Sequence, residues 1–149
     1  MSRNVKRMHC APEDVFAVST DGWLYPIWVV GATRMRSVDD TWPQVGARVH
    51  HSVGAWPALI DDTTECLEWD PPRRVVMRAR GWPIGEARVV MEARPIGDGQ
   101  CLVRIQEEAA AGPALLIPRP VRTLMLYLRN RETLRRLAFL AEGRQRESA

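Results

Sequence analysis

Acid–base or ligand-anchoring chemistry needs a titratable group held away from bulk water, and strand phase singles out two such residues in this chain, His51 and Glu107. Successive side chains of a strand point to opposite faces, so arginines at alternate positions mark the solvent side and the other phase points inward. In 47–53 the inward phase is Ala47, Val49, His51 and Val53, with Arg48 and His50 outside. In 101–109 it is Cys101, Val103, Ile105, Glu107 and Ala109, with Arg104, Gln106 and Glu108 outside. A buried carboxylate is costly unless paired or neutralised, which makes Glu107 a candidate ligand anchor or proton donor. Its structural alternatives are a place at a water-exposed strand end or an ion pair with an arginine of the C-terminal segment. His51 is a candidate for the same work, or a satisfied core histidine.

The familiar catalytic templates are missing. The chain has no G-x-S-x-G elbow, G-x-G-x-x-G turn, Walker loop or H-E-x-x-H pair. His9 and Cys10, with His50 and His51, lack metal-ligand spacing. The acidic pairs Asp39-Asp40 and Asp61-Asp62 fall in expected loops and turns, where solvation and capping explain them. Neither a metal nor a cofactor is expected.

The same phase argument assigns other inward residues. Arg34 and Arg36 leave Thr33 and Met35 inside; Arg78 and Arg80 leave Val75, Met77 and Ala79; Arg88 and Glu92 leave Ala87, Val89 and Met91. In the C-terminal segment a 3.6-residue period aligns Leu124, Tyr127, Asn130, Leu134, Leu137, Ala138 and Ala141 on one stripe. Tyr127 and Asn130 are its polar members, able either to orient a ligand in an apolar pocket or to satisfy local structure. All 6 tryptophans lie in the first 82 residues. Trp28 is assigned to a pocket and Trp69 to packing, while Trp42, Trp56 and Trp82 fall in turns that can edge a cavity mouth. The expected pocket set is thus Trp28, Met35, Val49, His51, Met77, Val89, Met91, Ile105, Glu107, Leu124, Tyr127, Asn130 and Leu134.

The elements that must position these residues follow from punctuation. A strand over 5–10 leads to Pro12-Glu13-Asp14, a helix start, since proline costs nothing at a first helical position and acids meet the positive dipole end. A second short helix or turn over 23–28 follows. Breaks at Trp42-Pro43, Asp61-Asp62, Asp70-Pro71-Pro72, Trp82-Pro83 and Gly97-Asp98-Gly99 then separate six runs of strand length. One uninterrupted helical pattern closes the chain from about Pro120 to Arg144. A lone long helix after a curved antiparallel sheet needs the concave face of that sheet to bury its apolar stripe.

With 149 residues and 46% hydrophobic content, one domain spanning 1–149 with one core is expected. The net charge of +3 comes almost wholly from arginine, since Lys6 is the only lysine. A basic helix with an apolar second face reads as a solvated surface, and nucleic acid is not an expected partner. The 3 cysteines, Cys10, Cys66 and Cys101, are widely spaced and odd in number, which favours a reducing cytoplasm over a disulfide framework. No window holds 18 consecutive apolar residues, and 1–8 lacks a signal-peptide pattern.

The chain resembles the helix-grip superfamily of START-like (SRPBCC) proteins, in particular its bacterial polyketide cyclase/dehydrase-like branch. The resemblance is carried by Ala11-Pro12-Glu13-Asp14-Val15-Phe16 after the first strand, Trp28-Val29, Trp42-Pro43-Gln44-Val45-Gly46, Gly97-Asp98-Gly99-Gln100, and Arg129-Asn130-Arg131-Glu132 with Leu134 and Leu137. It covers nearly the whole chain. It implies an α+β helix-grip fold: a curved seven-stranded antiparallel sheet around a long C-terminal helix, with two short helices after the first strand and a ligand cavity between. Three functions compete: binding of a small hydrophobic or aromatic molecule such as a lipid or polyketide; a cyclase/dehydratase-like enzyme using Glu107 or His51; and an accessory protein or homodimer whose basic helix meets an acidic partner.

Overall fold

The computed structural model describes residues 2–55, 57–81 and 85–148. Strand β1 (Ser2–Met8) is followed by helix α1 (Pro12–Thr20), a 3-10 turn (Gly22–Leu24) and helix α2 (Tyr25–Trp28). Six strands follow: β2 (Ala32–Val38), β3 (Arg48–Ala55), β4 (Ala58–Asp70), β5 (Arg74–Gly81), β6 (Gly85–Gly97) and β7 (Gln100–Ala111). A 3-10 turn over Pro113–Leu116 leads into helix α3 (Arg119–Ser148). The sheet order is β1-β7-β6-β5-β4-β3-β2, with every neighbouring pair antiparallel. The seven-stranded sheet gripping a long helix is the architecture expected from the sequence. No helix among the described residues is long and apolar enough to cross a membrane.

Local chemistry explains the helix starts. Asp14 accepts a hydrogen bond from the Ala11 N–H at 3.2 Å, using an amide that the first turn of α1 leaves without an intrahelical partner. Asp21 does the same for Trp23 at the 3-10 turn, at 3.1 Å. Val15 and Phe16 of α1 then pack with Leu134, Leu137, Ala138 and Ala141 of α3 over Val49, Met91, Val103 and Ile105 of the concave face. Burying a leucine such as Leu134 or Leu137 contributes about 1.5–3 kcal/mol, so these side chains largely decide where the helix lies. Phe16 meets Trp69 with ring centroids 5.6 Å apart, giving Trp69 its packing role.

The inward phase of β3, β5, β6 and β7 is as expected, but β2 departs from it. Register shifts at Ala32/Arg34 and Met35/Ser37 give this edge strand two irregularities, so its inward residues recur every third position as Ala32, Met35 and Val38. Thr33 is therefore exposed rather than inside, and its hydroxyl donates to the Ser52 carbonyl at 3.1 Å. Asp61-Asp62 is likewise not a turn: β4 runs through it. Asp61 lies on the strand's solvent side, where it accepts from the Ser52 hydroxyl at 2.7 Å and pairs with Arg36 at 3.5 Å. Cross-strand bonding outweighs the turn preference of aspartate here.

Helix α3 changes character along its length. Its C-terminal half is docked; in its N-terminal half Val121, Leu124, Met125 and Leu128 are exposed. Polar ties fasten both halves to the rest of the fold. Thr133 Oγ1 accepts from the Val30 N–H at 3.3 Å, Asn4 donates to the Tyr127 carbonyl at 3.0 Å, and Glu142 accepts from the His9 N–H at 3.0 Å. All three cysteines are buried free thiols, and Cys10 shares a hydrogen bond with Cys101 beneath the end of β1.

Candidate ligand-binding site

Between the lifted half of α3 and the sheet opens a cleft of about 450 Å³. Small side chains make the room: Ala79 on β5, Ala87 on β6 and Ala109 on β7 lie along its floor, with Ala87 and Ala109 opposite each other in the register. Val53, Ile60, Ile117, Met125 and Leu126 form apolar walls. Into this lining the fold inserts two buried polar side chains, His51, 2% exposed, and Glu107, 1% exposed.

Glu107 receives a hydrogen bond from Arg129 Nη1 on its Oε1 at 2.8 Å, an ion pair between β7 and α3. Arg129 Nε in turn donates to the Val30 carbonyl at 3.1 Å, so the guanidinium is held between α3 and the segment after α2. The pairing expected as a structural alternative is thus present, and Glu107 also borders the cleft. Among the described residues its second oxygen, Oε2, has no hydrogen-bond partner.

His51 stacks on Tyr25 of α2, centroids 5.0 Å apart, and its Nε2 lies 2.9 Å from the Thr64 hydroxyl of β4. Thr64 Oγ1 is 2.7 Å from the Tyr25 hydroxyl. Burial lowers the His51 pKa from 6.5 to about 4, with Arg36 and His50 pushing the same way against Asp62, so the imidazole is neutral at neutral pH. Burial raises the Tyr25 phenol, partly offset by its bond to Thr64. His50, on the opposite face, pairs with Asp39 at 2.9 Å and takes no part.

The other expected pocket residues divide into three groups. Trp28, Met77, Val89, Met91, Ile105 and Asn130 lie one layer deeper, around a void of about 20 Å³ that is barely water-sized. Val49 and Leu134 are solid core, and Met35 packs against that core from the edge strand. Leu124 and Tyr127 do not join the cleft: they are 57% and 44% exposed, and the face of α3 that borders it carries Arg122, Met125, Leu126 and Arg129. The stripe extrapolated from Leu134 to Ala141 is correct for the docked half; further toward the N-terminus the helix meets the cleft with a neighbouring face. Trp56 and Trp82 lie outside the described residues, and Trp42 packs against the core with its indole N–H donating to the Ser19 carbonyl at 3.2 Å. Phase reasoning passed over Tyr25, Thr64 and Met125. Thr64 was legible in principle, two residues from Cys66 on the same face of β4, once Asp61-Asp62 is read as strand.

A curved antiparallel sheet and a docked C-terminal helix, with a largely apolar cleft between them, define a helix-grip protein. Residues 3–142 match the profile of the family described as polyketide cyclase / dehydrase and lipid transport, and the chain belongs to that family. No curated protein sequence matches it. Among solved structures it is similar to a conserved protein from Geobacillus kaustophilus, at 13% identity and TM-score 0.73 over 95% of this chain and 94% of that one. A START superfamily protein from Mycobacterium smegmatis aligns at 16% identity and TM-score 0.64 over 99% and 97% of the two chains. The di-domain ARO/CYC protein StfQ of the steffimycin biosynthetic pathway aligns at 12% identity and TM-score 0.71, over 95% of this chain and 50% of its own. At these identities the likeness is one of fold.

Proposed function

We propose that this protein binds a small hydrophobic or aromatic molecule, of lipid or polyketide type, in the cleft between the sheet and α3. The observation that carries the reading is the cleft itself: about 450 Å³ with a floor of alanines and apolar walls, in the roughly 300–1,000 Å³ range of small-molecule sites. The chain acts as one domain in this reading, in a reducing compartment that suits three buried free thiols. The test is native mass spectrometry of the purified protein alongside an Ala109→Trp variant that fills the floor. A co-purifying apolar molecule should be present in the wild type and absent from the folded variant. A wild type that carries nothing and takes up no apolar dye, or a variant that binds like wild type, overturns the assignment.

A catalytic reading rests on one further observation, the neutral His51 in the same cleft as Glu107. An acid/base group held in such a cleft contributes about 100-fold or more to turnover. For a substrate that is turned over, His51→Ala and Glu107→Gln should each lower kcat by that factor. Wild-type rates in both variants exclude them from the chemistry.

A further inference from the structure

Two buried side chains that border the cleft, His51 and Glu107, each carry a buried polar atom without a hydrogen-bond partner among the described residues, and the two atoms differ in polarity. Hydrogen counting assigns the tautomer of His51. If Nε2 carried the hydrogen, it would donate to Thr64 and Thr64 to Tyr25, leaving two groups unmet, the Tyr25 hydroxyl hydrogen and the Nδ1 lone pair, whereas a hydrogen on Nδ1 leaves only itself unmet. With the chain reversed, Tyr25 donates to Thr64, Thr64 donates to His51 Nε2, and every hydroxyl hydrogen is used. The neutral ring then carries its hydrogen on Nδ1, which has no partner among the described residues. His51 therefore offers a donor.

Glu107 offers the complement. Its Oε1 is taken by Arg129, while Oε2 is a carboxylate oxygen without a donor, in a side chain 1% exposed. A buried acceptor left unmet costs about 1–3 kcal/mol, so a ligand that brings a hydrogen to it gains what the protein alone lacks. An anionic ligand brings none. It would also meet the Glu107 charge, and the three arginines lining the cleft are engaged, Arg129 with Glu107 and the Val30 carbonyl, Arg122 with the Ala114 and Ile117 carbonyls and Arg80 with Glu86.

We infer that the cleft selects an uncharged apolar molecule carrying a hydroxyl hydrogen for Glu107 Oε2 and an oxygen acceptor for the His51 Nδ1–H, and discriminates against carboxylates and phosphates of equal size. The inference rests on the ligand-binding reading above and adds the residues that set its specificity. It makes Glu107 the hydroxyl-reading and His51 the carbonyl-reading group.

The test is displacement of an apolar fluorescent dye from the wild-type protein by dodecan-1-ol, its methyl ether, dodecanoate and dodecan-2-one. Dodecan-1-ol should bind about 10-fold or more tightly than either its methyl ether, which has lost the hydrogen, or dodecanoate, the gain expected of a hydrogen bond to a charged acceptor. In Glu107→Gln the preference for alcohol over dodecanoate should collapse or reverse, because Arg129 is released to pair with a carboxylate. In His51→Phe, dodecan-2-one should weaken several-fold, and an unchanged dodecan-2-one affinity removes His51 from the specificity. Equal wild-type affinity for alcohol, ether and carboxylate overturns the specificity and leaves the ligand-binding reading standing. Failure of the dye and all four compounds to bind overturns both. The wild-type series decides the question even if a variant fails to fold.

Discussion

At the scale of single residues, two buried polar groups make measurable claims on stability. The His51 pKa is lowered from 6.5 to about 4, so between those values the unfolded chain binds more protons than the native one. Stability then rises with pH across that window: the contribution is fully present above pH 6.5, is lost as pH falls toward about 4, and is flat below, amounting to about 3 kcal/mol in all. His51→Gln should flatten the slope of unfolding free energy between those pH values, measured by urea titration; an unchanged slope would show that another group dominates it. The Arg129–Glu107 pair is the second claim. Arg129→Met leaves a buried carboxylate without its cation and should cost about 3–5 kcal/mol, whereas Arg129→Met combined with Glu107→Gln should recover most of it. A double variant as unstable as the single would mean that packing of the arginine, rather than its charge, is what the fold needs.

At the scale of elements, α3 is two structures in one. Leu134 sits in the docked half at 2% exposure and Leu124 in the free half at 57%. Leu134→Asp should therefore destabilise by about 3 kcal/mol or more, while Leu124→Asp stays within about 0.5 kcal/mol; comparable losses in thermal melts would place both on one buried face. The sequence made the docked half legible because Leu134, Leu137, Ala138 and Ala141 keep helical period, and His51 and Glu107 legible because polar and apolar residues alternate around them, Arg48 and His50 against Val49 in β3 and Arg104 and Gln106 against Val103 and Ile105 in β7. It concealed the turn of Leu124 and Tyr127 away from the cleft, since apolar residues occur on more than one face of that half of α3 and only the tertiary contacts choose among them. Thr33 was hidden for a related reason. Irregular strand pairing resets the phase without leaving a mark in the pattern. The Tyr25–Thr64–His51 chain joins three elements distant in sequence, and no local period encodes it.

At the scale of the whole molecule, the sheet and α3 meet along one side only, held at the docked half and spread at the other, so cleft and core are two ends of the same interface. Ala79, Ala87 and Ala109 leave space where larger residues would have filled it. Cys10, Cys66 and Cys101 lie outside that opening, all buried. Burial raises the Cys66 thiol to about 11, and the hydrogen bond to Cys101 together with burial pushes Cys10 up as well. Thiolate is the reactive form, so neither sulfur should meet a disulfide reagent while the native packing holds, whereas the same contact lowers the Cys101 thiol and leaves burial as its protection. The molecule thereby carries its own clock for structural opening. Reaction with a chromogenic disulfide should run orders of magnitude slower than with a free thiol, should quicken for Cys10 and Cys101 when the edge strand β1 parts from β7, and should release Cys66, in the sheet interior on β4, only with global unfolding. Labelling of Cys66 as fast as Cys10 would show that the sheet opens as one cooperative unit.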